Sequence, residues 1–337
     1  MAKVTLQSIA DRVGVSRMTV SNAFSRPDQL SAELRERILA AADELGYVGP
    51  DPAARALARG RSGSVGLLLN DRLRQTFEDA IASEFFASVA DALADNGLAL
   101  TLLTPSSRAG FVPSRDVAMD GALVYICEPD STDLAWLDRR GLPQVSVDQN
   151  KREGVASVNV DDRSGARAAA QHLVDLGHRS VGILTLSTSE GDLSHNFPAR
   201  ERMLGWRAAL DAAGIEPIVA SCPYQPTTAA REAARELLER PDRPTAVVCF
   251  SDAFAAGVLQ AAEELGLEVP ADLSIVGYDD SPLASYSRPT LTTVRQDVAV
   301  KGRAAVDAII ATMAGEPAPD VLLPTSLVVR ESTAPPA

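Results

Sequence analysis

The chain has 337 residues, a net charge of -13 and 46% hydrophobic residues, enough for a small head domain and a large body with buried cores. It shows no apolar run long enough to span a bilayer and no secretory signal core, so we expect a cytoplasmic protein without a membrane partner. Residues 1–63 carry nine basic and seven acidic side chains. Their net charge of +2 leaves -15 for the remainder, so charge is segregated by domain.

Three short helices are predicted in the first 49 residues. Thr5 is placed to cap the first helix, whose apolar residues recur at i, i+3, i+4 and i+7 before Gly14 ends it. Ser16 caps the second helix only two residues later, so the two helices must turn sharply against each other. The third helix runs from Ser31 to Gly46. This pattern is typical of a helix-turn-helix.

The outward edge of the second helix is suited to a major groove of DNA. Arg17 can pair with guanine and Asn22 with adenine, each through two hydrogen bonds. An ordinary three-helix cap on an enzyme is the alternative, because short capped helices are common. The candidate DNA contacts of the head are Thr5, Ser16, Arg17, Met18, Thr19, Ser21 and Asn22.

Residues 50–62 have the pattern of a short hinge helix. Asp51 is an N-cap, Pro52 occupies the first helical position and Gly60 ends the helix. A helix of this length is marginal in water, so we expect it to be mostly disordered until it docks on a polyanion. The arginines Arg55 and Arg59 are candidate DNA contacts of the hinge.

From Ser64 onward, short apolar strands alternate with amphipathic helices. Such alternation predicts parallel sheets covered on both faces, and the strands are too many for one ordinary sheet, so we expect two α/β lobes. The predicted strands are VGLLL, LALTLL, GALVYI, PQVSV, SVNV, SVGIL, AVVCF and LSIVGY, and the predicted helices cover 79–96, 163–176, 200–213 and 253–265.

Polar residues at strand ends are the candidates for a binding site, because ligands of parallel sheets bind beyond the carboxyl ends of the strands. Asp148, Ser251 and Asp279 each follow a predicted strand, and Arg202 opens a predicted helix. Carboxylates and a guanidinium facing one cleft can bind vicinal hydroxyls in pairs, which favours a sugar. The alternatives are that Asp279 caps the following turn and that Asp252 caps the helix from residue 253.

Several segments occur together in the order of one known family: VTLQSIADRVGVSRMTVSNAF, AARALARG, GHRSVGIL, RERMLGWRAAL, SDAFAAGVLQAAEELGLEVPADLSIVGYDD and PTLTTVRQD. The chain resembles a LacI/GalR-type transcriptional regulator over essentially its whole length. The resemblance implies a periplasmic-binding-protein-like clamshell of two lobes joined by three crossovers near 160, 290 and 323. The implied boundaries are head 1–49, hinge 50–62 and effector-binding and dimerisation domain 63–337, with lobe 1 at 63–160 plus 291–322 and lobe 2 at 161–290 plus 323–332.

The resemblance also assigns roles to individual residues. Leu57, with Ala56 beside it, falls where the family wedges a leucine into the minor groove, which would unstack one base step and kink the DNA. The resemblance therefore implies that both are DNA contacts of the hinge; packing at a domain junction is the alternative for Leu57. Ser251 stands where the family usually has asparagine. The family's effector-contacting positions map to Asp148, Arg202, Ser251, Asp279 and Gln296.

Aromatic and loop residues complete the candidate cleft. Asp71 and Phe77 follow the first strand and are expected to line the cleft, where Phe77 either stacks on a ligand or packs in the core. Tyr224 is a further aromatic candidate. Residues 189–200 form a polar loop that is either a lid or a solvated connection.

No catalytic constellation, metal site or cofactor site is predicted. Cys127, Cys222 and Cys249 are odd in number and widely spaced, which indicates buried free thiols. The three histidines, His172, His178 and His195, lack metal-ligand spacing. An α/β enzyme is therefore disfavoured, and the head and hinge argue against a solute-binding protein.

The predicted function is a cytoplasmic, nucleoid-associated repressor that binds a pseudo-palindromic double-stranded operator as a homodimer. A small molecule bound between the lobes, with a carbohydrate as the leading candidate, would control operator affinity. The alternative is a regulator that senses a nucleoside or another metabolite and acts by co-repression or activation. The sequence ends in ESTAPPA without a leucine heptad, so we expect a dimer rather than a tetramer.

Overall fold

The computed structural model describes residues 4–49, 51–69, 73–106, 108, 110–127, 131–187, 193, 196–223 and 228–337. The chain divides into two compact units, Met1–Gly63 and Ser64–Ala337.

The first unit contains the three predicted head helices and a helix in the hinge. Gly14, whose φ of 80° is left-handed, ends the first helix. The second helix is capped by Ser16 Oγ, which accepts from Thr19 N at 3.0 Å. Ile9, Val20 and Ile38, one from each head helix, are completely buried and form the centre of the head core. The helices are α1 (Leu6–Val13), α2 (Arg17–Ser25), α3 (Ala32–Glu44) and α4 (Pro52–Arg59), with a 3₁₀ turn at Pro27–Gln29.

The second unit holds two six-stranded sheets, and these confirm the two-lobed α/β fold. The strands are β1 (Ser64–Leu69), β2 (Ala99–Leu103), β3 (Gly121–Tyr125), β4 (Gln144–Val147), β5 (Ala156–Val160), β6 (Val181–Leu186), β7 (Ile218–Cys222), β8 (Ala246–Cys249), β9 (Ser274–Asp279), β10 (Thr292–Arg295), β11 (Val321–Leu323) and β12 (Ser326–Val328). The first sheet has the order β2-β1-β3-β4-β5-β11 and is parallel. The second has the order β7-β6-β8-β9-β10-β12, in which β12 alone runs antiparallel to its neighbour.

Helices cover both faces of each sheet, so each lobe has a core on either side of its sheet. Close approach fixes two of the helix pairs: a side chain at Gly205 would collide with the backbone of Arg163, and one at Gly302 would collide with Ser88. The helices of this unit are α5 (Leu73–Glu78), α6 (Ala80–Asp95), α7 (Pro113–Asp116), α8 (Thr132–Arg140), α9 (Asp162–Asp175), α10 (Phe197–Ala212), α11 (Thr228–Leu238), α12 (Asp252–Glu264), α13 (Pro282–Tyr286) and α14 (Val298–Met313).

The chain passes between the sheets three times, which agrees with the expected topology. It leaves the first sheet after Val160, returns after Arg295 and crosses again between Leu323 and Ser326. The second crossing was expected near 290, but β10 pairs in parallel with β9 and therefore belongs to the second lobe.

Several elements were not predicted from the sequence, among them β7, α8, α11 and α14. Strand β7 lies at the edge of its sheet, and its residues alternate between exposed and half-buried positions before the buried Cys222. It therefore lacks the continuous apolar run by which the central strands were predicted. The cysteines agree with their prediction, since Cys127, Cys222 and Cys249 are buried thiols outside any disulfide that the structure describes. None of the helices that the structure describes combines the length and hydrophobicity needed to cross a membrane.

Candidate functional site

The second helix of the head presents one side to solvent. Arg17 is exposed and Met18 is 69% exposed, whereas Ser21 and Asn22 are half-buried. Asn22 Nδ2 donates to Oε1 of Gln29 at 3.1 Å. This bond occupies one of the two N–H groups of the amide, so adenine would have to be read through the other N–H and Oδ1. Arg17 has no such competitor among the side-chain bonds that are described.

Three further candidate contacts are occupied at helix starts. Thr5 Oγ1 accepts from Ser8 N at 3.4 Å, and Ser16 Oγ accepts from Thr19 N at 3.0 Å. The Thr19 hydroxyl also lies 2.8 Å from Ser16 Oγ. The hydroxyl oxygens of Thr5 and Ser16 therefore cap α1 and α2, as the sequence predicts.

The hinge helix is capped at both ends, and its leucine is exposed to solvent. Asp51 Oδ1 accepts from the backbone of Ala53 at 2.8 Å and Ala54 at 3.2 Å, and Gly60, with φ 66°, ends the helix as predicted. Leu57 is 86% exposed. A leucine held at this exposure contributes little to the stability of its own unit, so its side chain is available to a partner. The other predicted contacts in this helix, Arg55, Ala56 and Arg59, are half-buried, half-buried and exposed.

A cavity of about 350 Å³ lies where the strands of both sheets end. It is bounded by Leu69 and Tyr125 of the first sheet and by Leu186 and Phe250 next to the strands of the second. Its polar lining comprises Thr76, Asp79, Asp148, Asn196, Arg202, Ser251, Asp279, Gln296 and Lys301. The lining therefore combines apolar side chains with many polar ones, as small-molecule sites do. We call the polar residues of this lining the cleft floor.

Arg202 organises the floor on the side of the second sheet. Its Nε donates to Asp162 Oδ1 at 2.7 Å, its Nη2 to Asp279 Oδ1 at 3.4 Å, and its Nη1 to the backbone carbonyl of Phe250. The guanidinium carbon also lies 3.6 Å from the ring centroid of Tyr278. With the residue only 4% exposed, these contacts hold the planar group in one orientation.

The carboxylates around Arg202 respond to burial. Burial raises the pKa of Asp162 and, more strongly, that of Asp279, while the nearby guanidinium opposes both shifts. Burial lowers the pKa of Arg202, but the two carboxylates outweigh it and raise that pKa overall. Because Asp162 and Asp279 share one guanidinium, these two buried carboxylates take up a proton more readily than exposed aspartates do.

Lys301 organises the opposite side of the floor, and the sequence interpretation missed it. Its Nζ donates to Asp148 Oδ2 at 2.6 Å and to Gln296 Oε1 at 3.0 Å, and the residue is 1% exposed. Gln296 Nε2 in turn donates to Asp279 Oδ1 at 2.7 Å. Hydrogen bonds therefore run without interruption from Asp148 of the first lobe to Arg202 of the second.

A signal for Lys301 is present in the sequence. The chain has 29 arginines and only three lysines, and this one interrupts an apolar stretch, VAVKG, five residues after Gln296. It was missed because it lies in a helix rather than at a strand end. Its site role depends on α14 lying against the first sheet while Gln296 precedes it at the crossing.

The remaining predicted residues fall in three groups. Ser251 lines the cavity, and its Oγ also caps α12 by accepting from Phe254 N at 3.3 Å. Phe77 is 53% exposed and packs edge-on against Phe86 with 5.9 Å between ring centroids, and it is absent from the lining of the cavity. Asp71 and Tyr224 lie outside the described residues, as does most of the polar loop at 189–200.

The capping alternatives are resolved in favour of other contacts. Asp252 lies inside the helix that it was expected to cap, and its carboxylate accepts from Thr293 Oγ1 at 2.6 Å and Ser281 N at 2.7 Å. The carboxylate of Asp279 faces Arg202 and Gln296 instead of the following turn.

A helix-turn-helix head with a hinge helix, followed by a two-lobed body with a polar cleft, defines a DNA-binding regulator of the ligand-responsive kind. Models of two families match the chain: bacterial regulatory proteins of the lacI family at residues 5–49, and the periplasmic binding protein-like domain at residues 170–333. The HTH-type transcriptional regulator IpsA of Corynebacterium glutamicum is 37% identical over 98% of each protein. The chain belongs to the LacI family of bacterial regulatory proteins and is a transcriptional regulator.

Two solved structures show the same architecture. The complex of the transcriptional regulator CelR with cellobiose has a TM-score of 0.70 and 29% identity, covering 98% of this chain and 100% of that chain. The lac repressor dimer bound to operator and the anti-inducer ONPF has a TM-score of 0.83 and 27% identity, covering 98% of this chain and 99% of that chain.

Proposed function

We propose that the chain is a repressor whose affinity for a pseudo-palindromic operator is controlled by a sugar bound in the cleft. The observation that carries this proposal is the cleft floor, where Asp148, Arg202, Asp279 and Gln296 converge in one cavity of about 350 Å³. Carboxylates accept from hydroxyls in pairs and Gln296 fixes their spacing, so a polyhydroxylated ligand satisfies the floor better than an apolar one. The solved CelR complex contains cellobiose, which supports a sugar here.

On DNA, the exposed edge of α2 and the hinge leucine would contact different grooves. Arg17 and Met18 would contact base edges in the major groove, with Ser21 and Asn22 beside them, while Leu57 would wedge the minor groove at the centre of the site. The target is chromosomal DNA, so the protein would act in the cytoplasm at the nucleoid.

A homodimer would place two heads on the two half-sites. An apolar face suited to this contact is formed by α12 and α13 and the segment between α12 and β9: Leu283 is 43% and Tyr286 80% exposed beside a groove lined by Leu259, Leu267 and Val269. Exposed tyrosine and leucine on one face are characteristic of interface cores, and a two-fold dimer uses the same patch on both copies. The lac repressor was solved as a dimer.

The test of this function is an electrophoretic mobility shift assay on the chain's own promoter, with random DNA of equal length beside it. We expect Leu57→Ala to lower the affinity for the promoter by at least about tenfold, because bending DNA costs several kcal/mol that only the wedge and its contacts offset. Affinity for random DNA should be unchanged.

The matched control is Leu322→Ala, which removes a leucine of similar exposure, 64%, from the body. It should leave both affinities unchanged. Equal losses on promoter and random DNA would contradict the wedge, and an absence of salt-sensitive retention on either DNA would contradict DNA binding itself.

A further inference from the structure

The cations of the cleft floor are already occupied. Among the described residues that line the cavity, the positively charged ones are Arg202 and Lys301. Arg202 is bonded to Asp162 and Asp279, and Lys301 to Asp148, with all bonds at 3.4 Å or less. An anionic ligand would have to compete with these buried carboxylates for their cations, which is costly because a carboxylate that loses its cation stays buried.

The acceptors of the floor, by contrast, are incompletely used. Asp148 is 4% exposed, yet its Oδ1 has no hydrogen-bond partner among the residues that the structure describes, while its Oδ2 is held by Lys301. A buried carboxylate oxygen without a donor is unfavourable, and a ligand hydroxyl would remove that cost. Asp79 and Asp279 line the same cavity, so the described lining carries no net positive charge whether Asp279 is ionised or protonated.

We propose that Lys301 is a specificity residue through its ion pair with Asp148: Lys301 fixes Asp148 as an acceptor for hydroxyls, and Asp148 neutralises Lys301. The cleft therefore selects an uncharged hydroxyl-rich ligand and rejects the phosphorylated form of the same molecule. The inference deepens the proposed function, on which it rests for the site itself. Among sugars, it restricts the expected effector to uncharged ones.

The geometry around Lys301 explains why the pair can do this. The ammonium is a point charge on helix α14, and the carboxylate belongs to a residue with φ 50° directly after β4. Both groups sit on rigid elements of the first lobe, so Asp148 Oδ1 stays in one place as an acceptor.

Removing the charges of the pair one at a time tests the proposal, whichever sugar is the natural effector. Asp148→Asn frees the ammonium and keeps the shape, and asparagine is well suited to the left-handed backbone at this position. Thermal shift of the full chain is measured with inorganic phosphate, with glucose 6-phosphate and with glucose. We expect Asp148→Asn to bind the two phosphates at least about tenfold more tightly than the unmodified chain does.

Two variants identify the group responsible. The double variant Asp148→Asn with Lys301→Met has neither charge, so it should keep the fold and lose the gain in phosphate binding. Asp320→Asn is the matched control, because it frees Lys151, a lysine that is 74% exposed in its surface ion pair. That control should show no gain, since a solvated ammonium binds phosphate weakly.

Three results would overturn the proposal. The first is tighter binding of glucose 6-phosphate than of glucose to the unmodified chain, and the second is an Asp148→Asn variant that gains no phosphate affinity. The third is a gain that survives in the double variant. A failure of the proposed function would be seen elsewhere, as a loss of operator retention in the mobility shift assay that contains no ligand.

Discussion

Single residues at the strand ends adopt backbone conformations that depart from the strands they follow. Asp148, Asp279 and Asp280 have φ of 50°, 110° and 55°. Aspartate tolerates the left-handed region better than most side chains do, yet each such residue still costs free energy. Asp148 and Asp279 both reach the cavity floor and both lie in buried ion pairs. Backbone strain and the cleft floor therefore coincide at these two residues.

Arg202→Ala should lower the free energy of unfolding of the body by about 3–5 kcal/mol, because it leaves Asp162 and Asp279 buried without their cation. Urea denaturation followed by circular dichroism measures this loss. Arg207→Ala is the control on the same helix: its ion pair with Glu216 is exposed and spans 3.5 Å, so its removal should cost no more than about 0.5 kcal/mol. Equal effects of the two substitutions would contradict a structural role for the buried network.

Asp252 should make the stability of the body depend on pH. Burial raises its pKa from 3.8 to about 6, against the hydrogen bonds from Thr293 and Ser281. Between these two values the folded state binds more protons than the unfolded state, so the contribution of Asp252 to stability falls as the pH rises from about 4 to 6. The full change from this group is at most about 3 kcal/mol.

The measurement is the difference in unfolding free energy between the unmodified chain and Asp252→Asn across that pH range. The difference should fall from about pH 4 to 6 and level off above about pH 7. Asp242→Asn provides the comparison, because Arg240 lowers the pKa of that exposed carboxyl and its difference should be flat above about pH 5. A flat difference for Asp252→Asn would show that this carboxyl stays ionised when folded.

At the scale of elements, the hinge helix is capped at both ends but is short. Asp51 and Gly60 supply caps at its two ends, but eight residues are too few for stability in water without support. That this segment gains order on DNA therefore stays a prediction. The capped helix α4 is the ordered form that we expect on DNA.

Ala54→Gly should weaken operator binding about fivefold per hinge helix, and so about thirtyfold for the proposed homodimer, because glycine costs about 1 kcal/mol of helix stability in each hinge that binding must then supply. Ala54 is exposed, so no packing is lost with the methyl group. Fluorescence anisotropy with promoter and random DNA measures the change, and random DNA should be unaffected. Ala94→Gly, at an exposed site in α6, should leave promoter affinity unchanged; a similar loss there would mean that glycine acts through general stability.

At the scale of the whole body, the two lobes are joined by three chain crossings and by the hydrogen bonds of the cleft floor. Gln296 stands at one crossing and bonds Lys301 on one side and Asp279 on the other. A ligand that replaces these bonds acts on both lobes at once, and it can shift their arrangement only by its difference in affinity for the two arrangements.

Tyr286→Asp should convert the proposed homodimer into monomers, because it places a charge at the centre of an apolar face. Sedimentation velocity at micromolar concentration measures the mass, and promoter affinity should fall at least about tenfold, since each head then binds its half-site alone. Leu322→Asp adds the same charge at an exposed leucine elsewhere and should stay dimeric. A Tyr286→Asp chain of unchanged mass would exclude this face as the interface.

Local sequence patterns determined the head, the hinge and the alternation of strands and helices. Caps such as Thr5 and Ser16, terminators such as Gly14, and buried apolar spacing act over a few residues, so they can be recognised one segment at a time. Polar residues after central strands were equally visible, and Asp148 and Asp279 do reach one cavity.

Only the tertiary structure decided which partners those residues have. Lys301 is separated by 153 residues from Asp148, and Arg202 by 77 from Asp279, so no local period connects them. The assignment of β10 to the second sheet likewise depends on its pairing with β9. Burial of an ion pair is a property of the packed molecule, because the desolvation that makes each partner necessary arises only when distant segments exclude water together.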